Sequence, residues 1–132
     1  METNIDDCSG EMLGFVLEQL LENGALDVFY TSIFMKKNRP AYRLSVVCFE
    51  EQMDLLQKII FKQTTTIGIR YRKEQRTTLP RTIKEIDTPL GKLLVKEVII
   101  DNEKRCYPEY ETAKKLALEN HCSLQEIYQF VK

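Results

Sequence analysis

No apolar run in this 132-residue chain approaches the roughly 18 residues that cross a bilayer as a helix, so no membrane partner is expected. The N-terminus has no basic stretch followed by an apolar core, so no secretion signal is expected. Cysteine is scarce and scattered. Cys8, Cys48, Cys106 and Cys122 include no CxxC pair, which argues against a zinc site and points to free thiols in a cytoplasmic protein. Histidine occurs once, at His121, beside Cys122 in a connection between helices. There is no Walker A loop, no GxGxxG around Gly68, and no Ser/His/Asp or Cys/His set for covalent catalysis. Internal repeats and low-complexity segments are absent as well.

The length suits one domain with a real core, and 43% hydrophobic against 30% charged residues marks a globular chain. The net charge of −1 hides a segregation. Residues 1–35 carry Glu2, Asp6, Asp7, Glu11, Glu18, Glu22 and Asp27 and no Lys or Arg. Residues 62–84 carry Lys62, Arg70, Arg72, Lys73, Arg76, Arg81 and Lys84 against the single acid Glu74. Such a pairing of signs suits a phosphorylated ligand held with a divalent cation, and equally suits two separate solvated faces.

Taken in order, residues 2–7 read as a short strand entering a turn. Ser9 is placed to cap a helix whose stripe is Leu13, Val16, Leu17, Leu20 and Leu21, ended by Gly24. The run Leu26 to Met35 reads as a strand, Lys36 to Pro40 as a polar turn, and Tyr42 to Cys48 as the returning strand. Leu55, Leu56, Ile59 and Ile60 mark a second helix, and Thr64 to Arg72 a further strand. This order, βαββαβ, is the ferredoxin-like α+β pattern, an antiparallel sheet with two helices on one face. A hairpin over 81–88 and 91–100, turned at Pro89-Leu90-Gly91, and two helices are expected to follow. The first is entered at Tyr107-Pro108-Glu109 and carries Ala113, Leu116 and Ala117. The second has a Ser123/Glu126 capping box and a stripe of Leu124, Ile127, Tyr128 and Val131. The expected organisation is a single domain, 1–132, with a core over 1–72 and an extension over 73–132. The last stripe serves packing or a subunit contact, and with the exposed hairpin it suggests a homo-oligomer.

Three places carry candidate chemistry. Alternation over Thr64-Thr65-Thr66-Ile67-Gly68-Ile69-Arg70 puts Thr66, Gly68 and Arg70 on one face, with Ile67 and Ile69 directed to the core. Arg grips phosphate as a fork and Gly admits a ligand to the backbone; an ordinary amphipathic strand would look the same. Lys36, Lys37 and Arg39 cluster in a turn that matches a triphosphate or forms a solvated tip. Asp6 and Asp7 offer hard carboxylate oxygens to Mg2+ or Mn2+, or else compensate the dipole of the following helix.

Five segments, in one order and covering essentially the whole chain, resemble a known family. They are Glu2-Thr-Asn-Ile-Asp-Asp7, Gly24-Ala-Leu-Asp-Val28, Met35-Lys-Lys37 with Arg39-Pro40, Thr64-Thr-Thr-Ile-Gly68 with Arg70, and Pro108-Glu109-Tyr110. Together they resemble the C-terminal domain of the nickel insertion proteins, which complete the nickel-pincer nucleotide cofactor of lactate racemase. The resemblance implies a CTP-dependent cyclometallase, a lyase that inserts Ni2+ into pyridinium-3,5-bisthiocarboxylic acid mononucleotide with CTP and Mn2+ or Mg2+. It implies CTP contacts from Lys36, Lys37, Arg39, Thr64, Thr65, Thr66, Gly68 and Arg70, and metal contacts from Asp6 and Asp7. The family's larger N-terminal domain is expected as a partner within the same protein, since this chain starts directly in the first motif. Two other classes compete: a regulatory module that binds a small nucleotide without catalysis, and an RNA-binding module. The last lacks clustered exposed aromatics on the two central strands, so no nucleic-acid partner is expected.

Overall fold

In a computed structural model, which describes residues 1–131, the first helix begins and ends as its sequence requires. The Ser9 hydroxyl accepts from the Met12 amide, Asn23 caps the far end, and Gly24 follows at φ 97°, a left-handed conformation that glycine adopts without a Cβ clash. The element order is β1 (Glu2–Ile5), α1 (Gly10–Glu22), β2 (Asp27–Met35), β3 (Arg39–Val47), α2 (Met53–Gln63), β4 (Arg81–Thr88), β5 (Gly91–Ile100), β6 (Glu103–Pro108), α3 (Tyr110–Glu119) and α4 (Leu124–Tyr128). The chain divides into two compact units, Met1–Glu74 and the part from Gln75 onward.

The first unit is an antiparallel sheet in the order β1-β3-β2. Leu13, Val16 and Leu20 of α1 and Leu56 and Ile60 of α2 bury against Ile5, Val28, Leu44 and Val46 of one sheet face. Tyr30 stands at the edge of this core. Its hydroxyl donates to the Leu13 carbonyl at 2.8 Å, and burial first, then the neighbouring Cys8, pushes its phenol up to about 12. The opposite face carries Glu2, Asn4, Phe29, Thr31, Arg43 and Ser45, in register across the three strands.

The mixed antiparallel fold is the expected one, with a correction at its edge. Residues 64–72 do not form a strand. They reach the sheet through a single bridge, Glu2 with Arg70, whose two amide-to-carbonyl bonds measure 2.7 and 2.8 Å. This bridge lies on the free edge of β1, where the βαββαβ pattern puts its fourth strand. Nor does Ile67 enter the core; it is 99% exposed, while Ile69 packs partly against the core.

The second unit is an antiparallel sheet, β4-β5-β6, with its own core of Leu93, Val95, Ala113, Leu116 and Ile127. The hairpin over 81–100 forms with the expected bounds. Gly91 is required at its turn, because φ is 126° and a Cβ there would stand 2.8 Å from the Leu116 side chain. Residues 103–108 correct the sequence reading: they form a third strand before α3 begins. Asp101 and Asn102, both at positive φ, make the tight turn that pairs Ile100 with Glu103. Glu109 caps α3 by accepting from the Thr112 amide, and Ser123 and Glu126 form the expected capping box. The α4 stripe is used inside this unit, with Ile127 fully buried and Leu124 and Val131 packed beside it.

Leu44 is central to the first core at 0% exposure. Leu44→Ala is expected to cost about 2–5 kcal/mol through lost burial and a residual cavity. Faster hydrogen exchange of the β1–β3 amides is the check.

Candidate functional site

The C-terminal end of β1 is where the acidic turn, the basic turn and the threonine segment meet. Asp6 leaves β1 beside Arg39, the first residue of β3, and their Nη1 to Oδ2 distance is 3.1 Å. Asp6 is half-buried and Arg39 exposed, so the pair is only loosely held. Asp7 accepts from the Thr65 hydroxyl, and Cys8 Sγ lies 3.4 Å from the same oxygen. Lys36 and Lys37 project from the turn before Arg39; both are exposed and neither forms an ion pair among the described residues. Lys37 and Asn38 sit at φ 61° and 55°, a left-handed pair that fixes the shape of the turn.

The threonine segment is held by side-chain hydroxyls. Thr64 caps α2 and donates to the Ile60 carbonyl at 2.8 Å. The Thr66 amide turns back to the Thr64 hydroxyl at 3.3 Å. Thr3, buried on the helix-covered face of β1, donates to the Gly68 carbonyl at 2.8 Å and meets the Thr66 hydroxyl at 2.6 Å. These hydroxyl bonds, some local and some to distant Thr3, give the backbone an alternative to a ladder, which is why the apolar alternation does not produce a strand. They also break the expected period of two. Thr66 is fastened on the side of the helices, whereas Arg70 donates to Asn4 Oδ1 at 2.9 Å on the opposite face. At Gly68 a Cβ would meet nothing within 4 Å, so open space does adjoin its backbone.

The site residues inferred from sequence therefore gather at one end and one edge of the first sheet, but in two groups. Asp6, Asp7, Arg39, Thr64 and Thr65 stand together, with Lys36 and Lys37 in the adjoining turn. Arg70 lies further back along β1, next to Arg72, which pairs with Glu2 at 3.3 Å and holds its carboxyl below the usual carboxylate range. Among the described residues no three His, Cys, Asp or Glu side chains are close enough to hold a metal ion. Asp6 and Asp7 nevertheless fit a hard cation that shares its remaining positions with phosphate and water. Three contributors escaped the sequence reading: Thr3, Asn4 and Arg43. Period-2 alternation along β3 does turn Arg43 away from the core, but only the pairing shows it opposite Asn4.

Comparisons with known proteins agree on one family. The family model described as nickel insertion protein matches residues 1–128. The chain is 52% identical to the pyridinium-3,5-bisthiocarboxylic acid mononucleotide nickel insertion protein of Alkaliphilus metalliredigens, over 100% of this chain and 31% of that protein. With the Thermotoga petrophila protein of the same name the identity is 45%, over 99% and 33%. The chain thus spans about a third of the length of these relatives. Among solved structures it is similar to the C-terminal domain of a cyclometallase involved in synthesis of the NPN cofactor of lactate racemase, in its apo form. The TM-score is 0.91 and the identity 44%, over 97% of this chain and 89% of that one. A Methanopyrus kandleri protein shares the fold at a TM-score of 0.71 and 20% identity, over 98% and 81%.

Thr3→Val removes the hydroxyl that fastens Thr66 and Gly68 while keeping the side chain's shape. It is expected to cost about 1–3 kcal/mol, the range for stranding a buried partner, and to loosen residues 64–68 selectively. Amide exchange over that segment, compared with β2, checks it.

Proposed function

This chain belongs to the nickel insertion protein family, and from that membership we propose that it is the nucleotide-binding C-terminal part of a CTP-dependent cyclometallase. In this reading the whole protein, completed by an N-terminal domain, acts in the cytoplasm. It inserts Ni2+ into pyridinium-3,5-bisthiocarboxylic acid mononucleotide to build the lactate racemase cofactor. A ring C–H must lose its proton as the metal attaches, so reactants have to be held in fixed geometry beside a base. The contribution assigned to this chain is the hold on CTP.

The observation that carries the reading is the meeting of an acidic turn, a basic turn and a hydroxyl-rich segment at one end of one sheet. Lys36, Lys37 and Arg39 supply point charges and a fork for the phosphates, and Thr64, Thr65 and Thr66 supply hydroxyls. Gly68 leaves room, and Arg70 adds a second fork. Asp6 and Asp7 would hold Mn2+ or Mg2+, whose charge would offset that of the phosphates. Phosphate would then replace Asp6 as the partner of Arg39, freeing the carboxylate for the cation. Self-association belongs to the same reading, because β4 is an edge strand with unpaired backbone along its outer side. A monomeric mass by light scattering at working concentration would count against that part.

Titration with CTP, ATP and a short RNA, with and without Mn2+, tests the function. CTP is expected to bind selectively and only with the cation. Equal ATP affinity, or binding indifferent to Mn2+, would overturn it. Asp6→Asn and Asp7→Asn should keep the fold, and at least one should lose the Mn2+ enhancement.

Arg70→Lys keeps the charge but loses the fork, and should weaken CTP by about 1–3 kcal/mol. Gly68→Val should leave thermal stability nearly unchanged, given the open space, and reduce CTP affinity. Normal affinity in Gly68→Val would show that the ligand does not approach this backbone.

A further inference from the structure

Thr3 is a polar residue at a core position. It is 2% exposed, and its neighbours on the helix-covered face are Leu44, opposite it in β3, and Ile5, next on its own strand, both buried. Valine has nearly the same shape and suits both a strand and an apolar core, so packing alone does not call for the hydroxyl.

That hydroxyl is fully used. It donates to the Gly68 carbonyl at 2.8 Å, and its one hydrogen is then committed. The Thr66 hydroxyl, 2.6 Å away, therefore donates to it. The two bonds form a chain in which each donor polarises the next. Thr64 holds the near end of the segment on α2, and Arg70 holds the far end through its bridge to Glu2. Between them the chain has two further ties to the first strand and its turn among the described residues. One is the buried tie at Thr3; the other is exposed, from Thr65 to Asp7 and Cys8.

We infer that Thr3 is a positioning residue for the nucleotide site: from inside the core, where it touches no ligand, it sets where Thr66 and the open backbone at Gly68 stand. The inference rests on the reading of residues 64–70 as nucleotide contacts, and it adds a residue that this reading does not use. A cation held by Asp7 competes with Thr65 for the same carboxylate. The exposed tie is then the one given up on binding, and the buried tie remains to hold the middle of the segment. Contacts grip a ligand well only where supporting bonds lock their positions.

Calorimetry with CTP and Mn2+ tests this on the parent chain, Thr3→Val, Thr3→Ala, Thr3→Ser and Val28→Ala, each at a temperature where circular dichroism shows it folded. Thr3→Val and Thr3→Ala lack the hydroxyl and should weaken CTP by about tenfold, on the usual strength of one bond lost from a stranded partner. Thr3→Ser keeps the hydroxyl and should bind close to the parent. Val28→Ala trims the same core from β2, away from the segment, so it should lose stability and keep affinity. Amide exchange over 64–68 should be fast in the first two variants and close to the parent in the last two. Parent-like affinity in both variants that lack the hydroxyl overturns the inference. So does a Thr3→Ser variant as weak as Thr3→Val, or a Val28→Ala variant that loses as much affinity. A parent chain that binds no CTP brings down the nucleotide reading and this inference together. Binding by the parent beside unimpaired Thr3→Val and Thr3→Ala leaves that reading standing and overturns this inference alone.

Discussion

The buried hydroxyl of Thr3 decides how the edge of the first sheet is finished. A threonine on the core side of a strand must find a partner, and Thr3 finds two in a segment more than sixty residues away. That attachment draws the chain leaving α2 along β1 without making it a strand. It leaves Thr64 and Thr65 near the acidic turn and carries Arg70 back to Glu2 and Asn4. Within the threonine segment, Thr66 and Gly68 are held by this one polar group.

A segment tied by hydroxyls differs from one tied by a ladder. In a ladder, alternate side chains are committed to opposite faces. Here Thr66 and Arg70 serve different sides of the sheet and Ile67 points into solvent. The backbone at Gly68 gives up regular pairing and gains open space beside it. Such irregular edges, carried on a rigid sheet, are where binding residues commonly sit.

Much of the fold was legible because caps and periodicity act locally. Ser9, Gly24, Gly91 and the Ser123/Glu126 box each act within a few residues, and each is found where the sequence puts it. The third strand of the second unit was missed because its residues are mostly charged or polar, although Asp101-Asn102 before Glu103 is a two-residue turn signal. The false strand over 64–72 arose because hydroxyl bonding to distant Thr3 is invisible to a period-2 pattern. At the site, residue types were readable but partners were not. Nothing local says that Arg39 answers Asp6, or that the Nε of Arg43 is left without a hydrogen-bond partner.

The division into two units, each with its own small core, has a consequence for tolerance to mutation. A domain of roughly 60 residues buries only about 60% of its unfolded surface, so its margin is thin. Leu20 and Leu44 in one unit, and Leu93 and Ile127 in the other, each carry a large share of a short inventory. Substitution is therefore expected to be tolerated better on the charged surface than at these few aliphatic positions of each small core.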